Sequence, residues 1–277
     1  VSKSAFNFKD DVISIDGKTI RGSGSQDSKR AIHVINTCPN EHGITLAALE
    51  LRGKKNEIKT IPQVIDMLDV KGDTMTTDAM GCQKEIAKKI VGSGNNYVLR
   101  LKKNQKNLLE QVKAYHHMLL KTKFKGIIYS ECETIKKSHG RIQVRRYTHF
   151  ELSDWVEGLD DWSKLTTGIH VERNRDIKDE IQKEEAWCVS SLSPDAETAE
   201  KAVRLHWGAE NKLHWRLDVV FGDDKCQMLS GFGPLNMSVI KRFCMNMLEK
   251  DKEKRPTKRK IMRAAITDEY RERMLFG

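Results

Sequence analysis

Residues 73–92, DTMTTDAMGCQKEIAKKIVG, decide how the chain is read. The β-branched opening, through Thr77, reads as a short strand, and QKEIAKKIVG reads as a helix stopped by Gly92 or Gly94. Asp78 stands at the junction. A carboxylate there is either an ordinary turn residue or a group held at a sheet edge for chemistry.

Working outward, NYVLRL is another strand and NQKNLLEQVKAYHHMLL a longer helix. Upstream, DVISIDGKTIRG alternates, with Val12, Ser14 and Asp16 on one side and Ile13 and Ile15 on the other. A Gly/Ser-rich loop, RGSGSQDSK, separates it from two further strands, AIHVINTC and ITLAALELR, joined around PNEHG. NEIKTIPQVIDML then carries Ile58, Ile61, Ile65 and Leu68 at helical spacing, with Pro62 early enough to be tolerated. The order β-β-β-α-β-α-β-α is that of a mixed sheet in which a meander precedes alternating elements.

The pattern changes over 125–192, where GRIQVRRYTHF, KLTTGIHVERNR and EEAWCVSSL are strand-like. From Ser193 a helix is expected, with Ser193 as N-cap, Pro194 at the first helical position and acids in the first turn. PLNMSVIKRFCMNMLEK predicts another helix, then a basic link, DKEKRPTKRK, and one short final helix. The expected division is 1–124, a β-rich insertion or a continuation of the sheet at 125–192, and closing helices at 193–277.

Of the 277 residues 38% are hydrophobic and 32% charged, and the net charge is +10. That balance allows a real core and points equally to a polyanionic partner, DNA or RNA, and to a mildly basic enzyme with no such partner. No apolar run approaches a membrane span, and the first residues lack a signal peptide's apolar segment. The chain lacks an initiator Met, so a piece of a longer polypeptide is expected. Six scattered cysteines with no C-x-x-C pair argue against a zinc ribbon and for reduced thiols in the cytosol.

Three acids stand out by position: Asp16 on the first strand, Asp78 at the end of the fourth, and Glu210 in the late helix RLHWGAENKLHW. The first and fourth strands can be neighbours in a mixed sheet, and a late helix can cross their ends. Three carboxylates brought together would repel one another unless cations sat between them, which is the arrangement for Mg²⁺-assisted phosphodiester cleavage. Against this stands the supply of 39 acids, from which any three can be chosen. His206, Glu210 and His214, at i, i+4 and i+8, share a helix face. That face is too long for one zinc ion, so the histidines are read as bonding to neighbours or phosphates. Trp207 and Trp215 are read as packing residues.

Together SIDGKTIRGS, KKNEIKTIP, TTDAMGCQKEIA, YVLRLKKNQ, HGRIQVRR and HWGAENKLHWRLDVVFGDD resemble the bacterial DDE insertion-sequence transposases. The likeness is strongest to the group of H-repeat-associated proteins found near Rhs elements. It runs in order along nearly the whole chain. It implies an α/β fold, a ribonuclease-H-like mixed sheet flanked by helices, with the β-rich insertion before the last catalytic helix. It implies that Asp16, Asp78 and Glu210 are catalytic and hold two Mg²⁺ ions, with Mn²⁺ as substitute. The implied enzyme is a metal-dependent polynucleotidyl transferase and endonuclease acting on double-stranded DNA in the bacterial cytoplasm, at the nucleoid. Paired-end chemistry further implies at least a homodimer on DNA.

Lys102, Lys103, Asn104, Arg141, Arg145, Arg146, His206 and His214, with the KRPTKRK run, are the expected DNA contacts. Solvated surface is the bland alternative for the cations, and a strand-to-helix cap for Asn104. Relatives usually carry a small helical domain ahead of the DGK strand that this sequence lacks, and often an acid where Gly208 stands. The competing functions are a repurposed Mg²⁺-dependent DNase of a toxin or defence system, and an inactive DNA-binding remnant.

Overall fold

A computed structural model describes residues 11–23, 31–39, 43–51, 57–138, 141–177, 180–229 and 231–276. Most of the expected loop at 24–29 and the start of KKNEIKTIP lie outside the described residues, as do the side chains of Arg141 and Glu210. The chain forms two compact units, one from 1–68 with 205–277 and the other from 69–204.

In the first unit β1 (Val12–Ile20), β2 (Ile32–Pro39) and β3 (Ala47–Glu50) form the antiparallel meander, with Asp16 opposite Asn36 and Ile35 opposite Leu49. The alternation of β1 does not separate a dry face from a wet one. Val12, Ile13, Ser14 and Ile15 are all buried, as in a strand covered on both faces. Helix α1 (Glu57–Asp66) buries Ile61 and Ile65 as expected, with Thr60 and Val64 beside them, while Ile58 is half-buried and Leu68 lies past the helix end.

From Leu205 on, the closing helices complete this unit. Helix α4 (Ala196–Ala209) passes through one π-helical turn, Glu210–His214, into α5 (Trp215–Val219). Leu213 and Leu217 pack on Cys38 and Met245. Helix α6 (Gly233–Lys250) is tied to β2 and to the segment before β3 by buried polar groups. Asn246 accepts from the Thr45 amide at 2.8 Å and donates to its carbonyl at 2.7 Å, while Arg242 donates to Asn36 at 2.6 Å. Buried polar atoms need such partners, and here they fix the helix in one place. The tail forms two helices rather than one, α7 (Thr257–Ile266) and α8 (Asp268–Phe276), and α7 takes in the last four residues of the expected basic link.

In the second unit the sheet runs β4 (Thr74–Thr77), β5 (Asn96–Leu101), β9 (Glu180–Ser190), β8 (Thr167–Ile177), β7 (Arg141–Glu151), β6 (Tyr129–Ser138). Strands β4 and β5 are parallel, joined by α2 (Lys84–Gly92), and the rest pair antiparallel. The stretch 125–192 therefore continues the sheet through the β5–β9 pair. Helix α3 (Lys106–Lys121) lays Val112, Tyr115, His116 and Leu119 inward.

The start of α4 corrects the expected cap. Asp195, not Ser193, takes the position: its carboxylate accepts from the Glu197 amide at 3.0 Å and the Thr198 hydroxyl at 2.5 Å. A carboxylate satisfies the open amides better than a serine two residues upstream can reach. The Thr198 hydrogen bond holds Asp195 below its ordinary carboxylate range. Trp215 is likewise corrected, for it is 56% exposed rather than packed.

Candidate active site

Asp78 closes β4 and caps the short 3-10 turn Ala79–Gly81. Its Oδ1 accepts from the amides of Met80 at 3.0 Å and Gly81 at 3.3 Å, so the turn itself makes no use of Oδ2. Gly81 is required at this bend, because a Cβ there would meet the Thr77 hydroxyl at 2.5 Å. The turn is braced from the neighbouring strand. Because β4 and β5 are parallel, with Thr77 opposite Leu99, the stretch after β5 lies beside the stretch after β4. There Asn104 donates to the Ala79 carbonyl at 2.5 Å, and Gln105 donates to the Cys82 carbonyl at 2.9 Å. Neither amide caps the helix that follows. Lys102 and Lys103 are exposed beside this turn.

In the first unit, Asp16 lies mid-strand on β1, half-buried. Its Oδ1 accepts from the Gly17 amide at 2.8 Å, and its Oδ2 lies 3.7 Å from Nδ1 of His214. Two residues on, the buried Lys18 donates to Asp218 at 2.6 Å and Asp224 at 3.3 Å. Two residues along a strand and four along a helix advance nearly the same distance, about 6–7 Å. The pairs 16–214 and 18–218 therefore place the helix alongside β1, in step with it. Glu210 opens the π-helical turn that ends at His214. That turn shifts the helical phase, so the i, i+4, i+8 face read from His206, Glu210 and His214 is not one straight α-helical stripe.

Burial, with help from Lys18, Arg242 and His33, pushes the His214 imidazole down to about 4. The ring is neutral at neutral pH, so Asp16 faces a dipole and not a cation. On the other side of β1, Gly17 leaves room for a contact between His33 Nε2 and Glu57 Oε1 at 2.6 Å; a Cβ there would clash with that nitrogen.

The remaining basic residues are divided. Arg145 and Arg146 follow one another on β7 and so point to opposite faces. Arg145 donates to Gln143 at 2.9 Å, and burial lowers its pKa; Arg146 is exposed and donates to Glu133 at 2.6 Å. His206 is half-buried in the last turn of α4. In the KRPTKRK run, Lys260 is buried and donates to the carbonyls of Leu248 and Asp251, so it is a structural cation. Lys18, Asp218 and Asp224 were not singled out in the sequence, although the two-residue step from Asp16 to Lys18 signals a shared strand face.

Residues 7–247 match the family described as Transposase DDE domain. The chain is 36% identical over 274 residues to "H repeat-associated putative transposase YhhI" of Escherichia coli (strain K12), covering 96% of this chain and 72% of that protein. It is equally similar, at 36% with the same coverage, to "Putative protein YbfL" of the same organism. Among solved structures it resembles the cryo-EM structure of the piggyBac transposase synaptic complex with hairpin DNA, at a TM-score of 0.52 and 11% identity. That likeness covers 96% of this chain but about half, 54%, of the other, and it places the fold in the ribonuclease-H-like class.

Proposed function

This chain belongs to the family of transposases that carry a DDE domain, and from that membership we propose that it cuts double-stranded DNA and joins the freed strand to a target. In the first step water attacks a phosphodiester and releases a 3′ hydroxyl. In the second that hydroxyl attacks a target phosphodiester and displaces the target's own 3′ oxygen. Asp16, Asp78 and Glu210 are the carboxylates assigned to this chemistry. They are hard oxygen donors, as Mg²⁺ prefers, and Asp16 and Asp78 are half-buried rather than sealed in. Two Mg²⁺ ions, or Mn²⁺ in their place, would activate the attacking oxygen and stabilise the leaving one.

The observation that carries the reading is the in-step pairing of β1 with the helix, Asp16 beside His214 and Lys18 bonded to Asp218. It holds the helix bearing Glu210 along the strand bearing Asp16. His214, uncharged and 3.7 Å from the Asp16 carboxylate, does not neutralise it. Asn104 and Gln105 hold the backbone that presents Asp78. Lys102 and Lys103 are the phosphate contacts beside that turn. Residues 1–124 and 193–277 supply the core and 125–192 the insertion. The protein acts in the bacterial cytoplasm on nucleoid DNA, as a homodimer when two ends are paired.

Asp16→Asn, Asp78→Asn and Glu210→Gln are each expected to lower Mg²⁺-dependent cleavage about a hundredfold or more. DNA affinity should hold or rise, because each removes a negative charge near phosphate. Nicking of supercoiled plasmid and gel-shift titration read the two effects. Undiminished cleavage by any of the three removes that residue from the site.

A further inference from the structure

We propose that His170, Glu172 and Glu185 form a second divalent-cation site, on the outer strands of the second unit, for an ion of the zinc class. One ligand atom from each of the three lies within 4.8 Å of the others. They come from two adjacent strands. His170 and Glu172 are two apart on β8 and share a face, and Glu185 on β9 is directly opposite Glu172. Like charges in directly opposed positions destabilise a sheet. The cation nearest in the same row, Arg146 opposite Glu172 on β7, donates to Glu133 at 2.6 Å. Among the described residues no lysine or arginine is ion-paired with Glu172 or Glu185.

The histidine gives the independent sign of a ligand. His170 is 6% exposed, and its Nε2 is buried with no hydrogen-bond partner among the described residues. Such an atom costs stability unless something binds it. It lies 4.0 Å from the Glu185 carboxylate, close but short of a hydrogen bond. The ring is held in place by stacking on Trp187, with centroids 4.1 Å apart and planes inclined 22°. Burial and nearby Lys113 push His170 down to about 4, so at neutral pH the ring is uncharged and has a lone pair to offer.

A cavity of about 390 Å³ opens on this face, lined by His170 and Glu172 together with His116, Glu131, Arg146 and Thr148. His116 brings a second buried, unpartnered Nε2, on a ring whose centroid is 4.6 Å from that of His170. Donors around a zinc ion stand about 3.4 Å apart, from bonds of about 2.0–2.1 Å. The two glutamates, at partly open positions, need only a small rotamer change to close that gap. Imidazole with carboxylates selects zinc and its neighbours over Mg²⁺ and Ca²⁺, which take oxygen alone. Bound by these side chains, the ion ties β8 to β9 and cancels the opposed pair of charges.

The test is calorimetric titration of the whole chain with Zn²⁺, and separately with Mg²⁺. Wild type should take up a Zn²⁺ equivalent that Mg²⁺ does not displace. Glu172→Gln/Glu185→Gln should weaken that equivalent at least a hundredfold, whereas Asp78→Asn should keep it. Because the glutamine pair relieves repulsion at exposed positions, it should fold, which circular dichroism verifies. Co²⁺ in place of Zn²⁺ should give d–d absorption that the glutamine pair abolishes. Zn²⁺ uptake in the double variant within twofold of wild type, or none in wild type, overturns the proposal.

Discussion

At the scale of single residues, the turn that Asp78 caps depends on a side-chain amide from the stretch that follows β5. Asn104 donates to the Ala79 carbonyl and so steadies the turn that Asp78 caps. Residues that orient a ligand typically matter ten- to a hundredfold. Asn104→Ala should therefore lower the rate of cleavage about tenfold while the Kd for DNA stays within twofold. A weakened Kd with an unchanged rate would make Asn104 a DNA contact instead. Lys18 gives a stability prediction. Its buried ammonium bonds two carboxylates, and removing a hydrogen-bonded charge there costs about 2 kcal/mol. Lys18→Met should show that loss in urea unfolding, partly restored when Asp218→Asn is added. Full stability in Lys18→Met alone would mean that solvent already screens the pair.

At the scale of elements, the π-helical turn at Glu210–His214 sets where Glu210 sits relative to His214 and Asp218. Deleting Lys212 restores an ordinary α-helical turn and rotates Glu210 by about 100°. The variant should fold, keep DNA binding and lose cleavage. Retained cleavage would show that the turn's phase is irrelevant. His149 bridges elements in the second unit, between the start of α4 at Asp195 and Thr167 on β8, at 2.9 and 2.8 Å. Burial lowers its pKa, so the folded protein resists the proton that the unfolded chain accepts. Its contribution is complete above about pH 6.5 and is lost as pH falls below that, by up to about 1.4 kcal/mol per unit. His149→Gln should flatten the fall in stability between pH 7 and 5; an unchanged slope contradicts the assignment.

These elements also show what could be read in advance. The meander, the parallel β4–β5 pair and the helix after Asp78 were legible, because alternation and helical stripes report burial directly. Strand β6 was not. YSECETIKKS is an edge strand whose charges discourage pairing with another chain, and those same charges hide its apolar pattern. The π-helical turn has no composition of its own. Asp195 took the cap from Ser193 through side-chain reach, which residue type alone does not reveal. The partners of Lys18 lie two hundred and more positions away, where spacing says nothing. Of the expected DNA contacts, the sequence could not show that Lys260 is buried.

At the scale of the molecule, the charge of +10 calls for an affinity for DNA that falls linearly with salt on logarithmic axes. Lys102→Ala/Lys103→Ala should make that slope shallower by about 2, and an unchanged slope removes both lysines from the contact. Among the described residues no helix is long and apolar enough to cross a membrane. The account rests on carboxylates from distant parts of the chain serving one phosphate. Crystals soaked in Mn²⁺ and read by anomalous scattering test that most directly. Density ligated jointly by Asp16, Asp78 and Glu210 is expected, and density at none of them, or at one acting alone, would contradict a shared metal site.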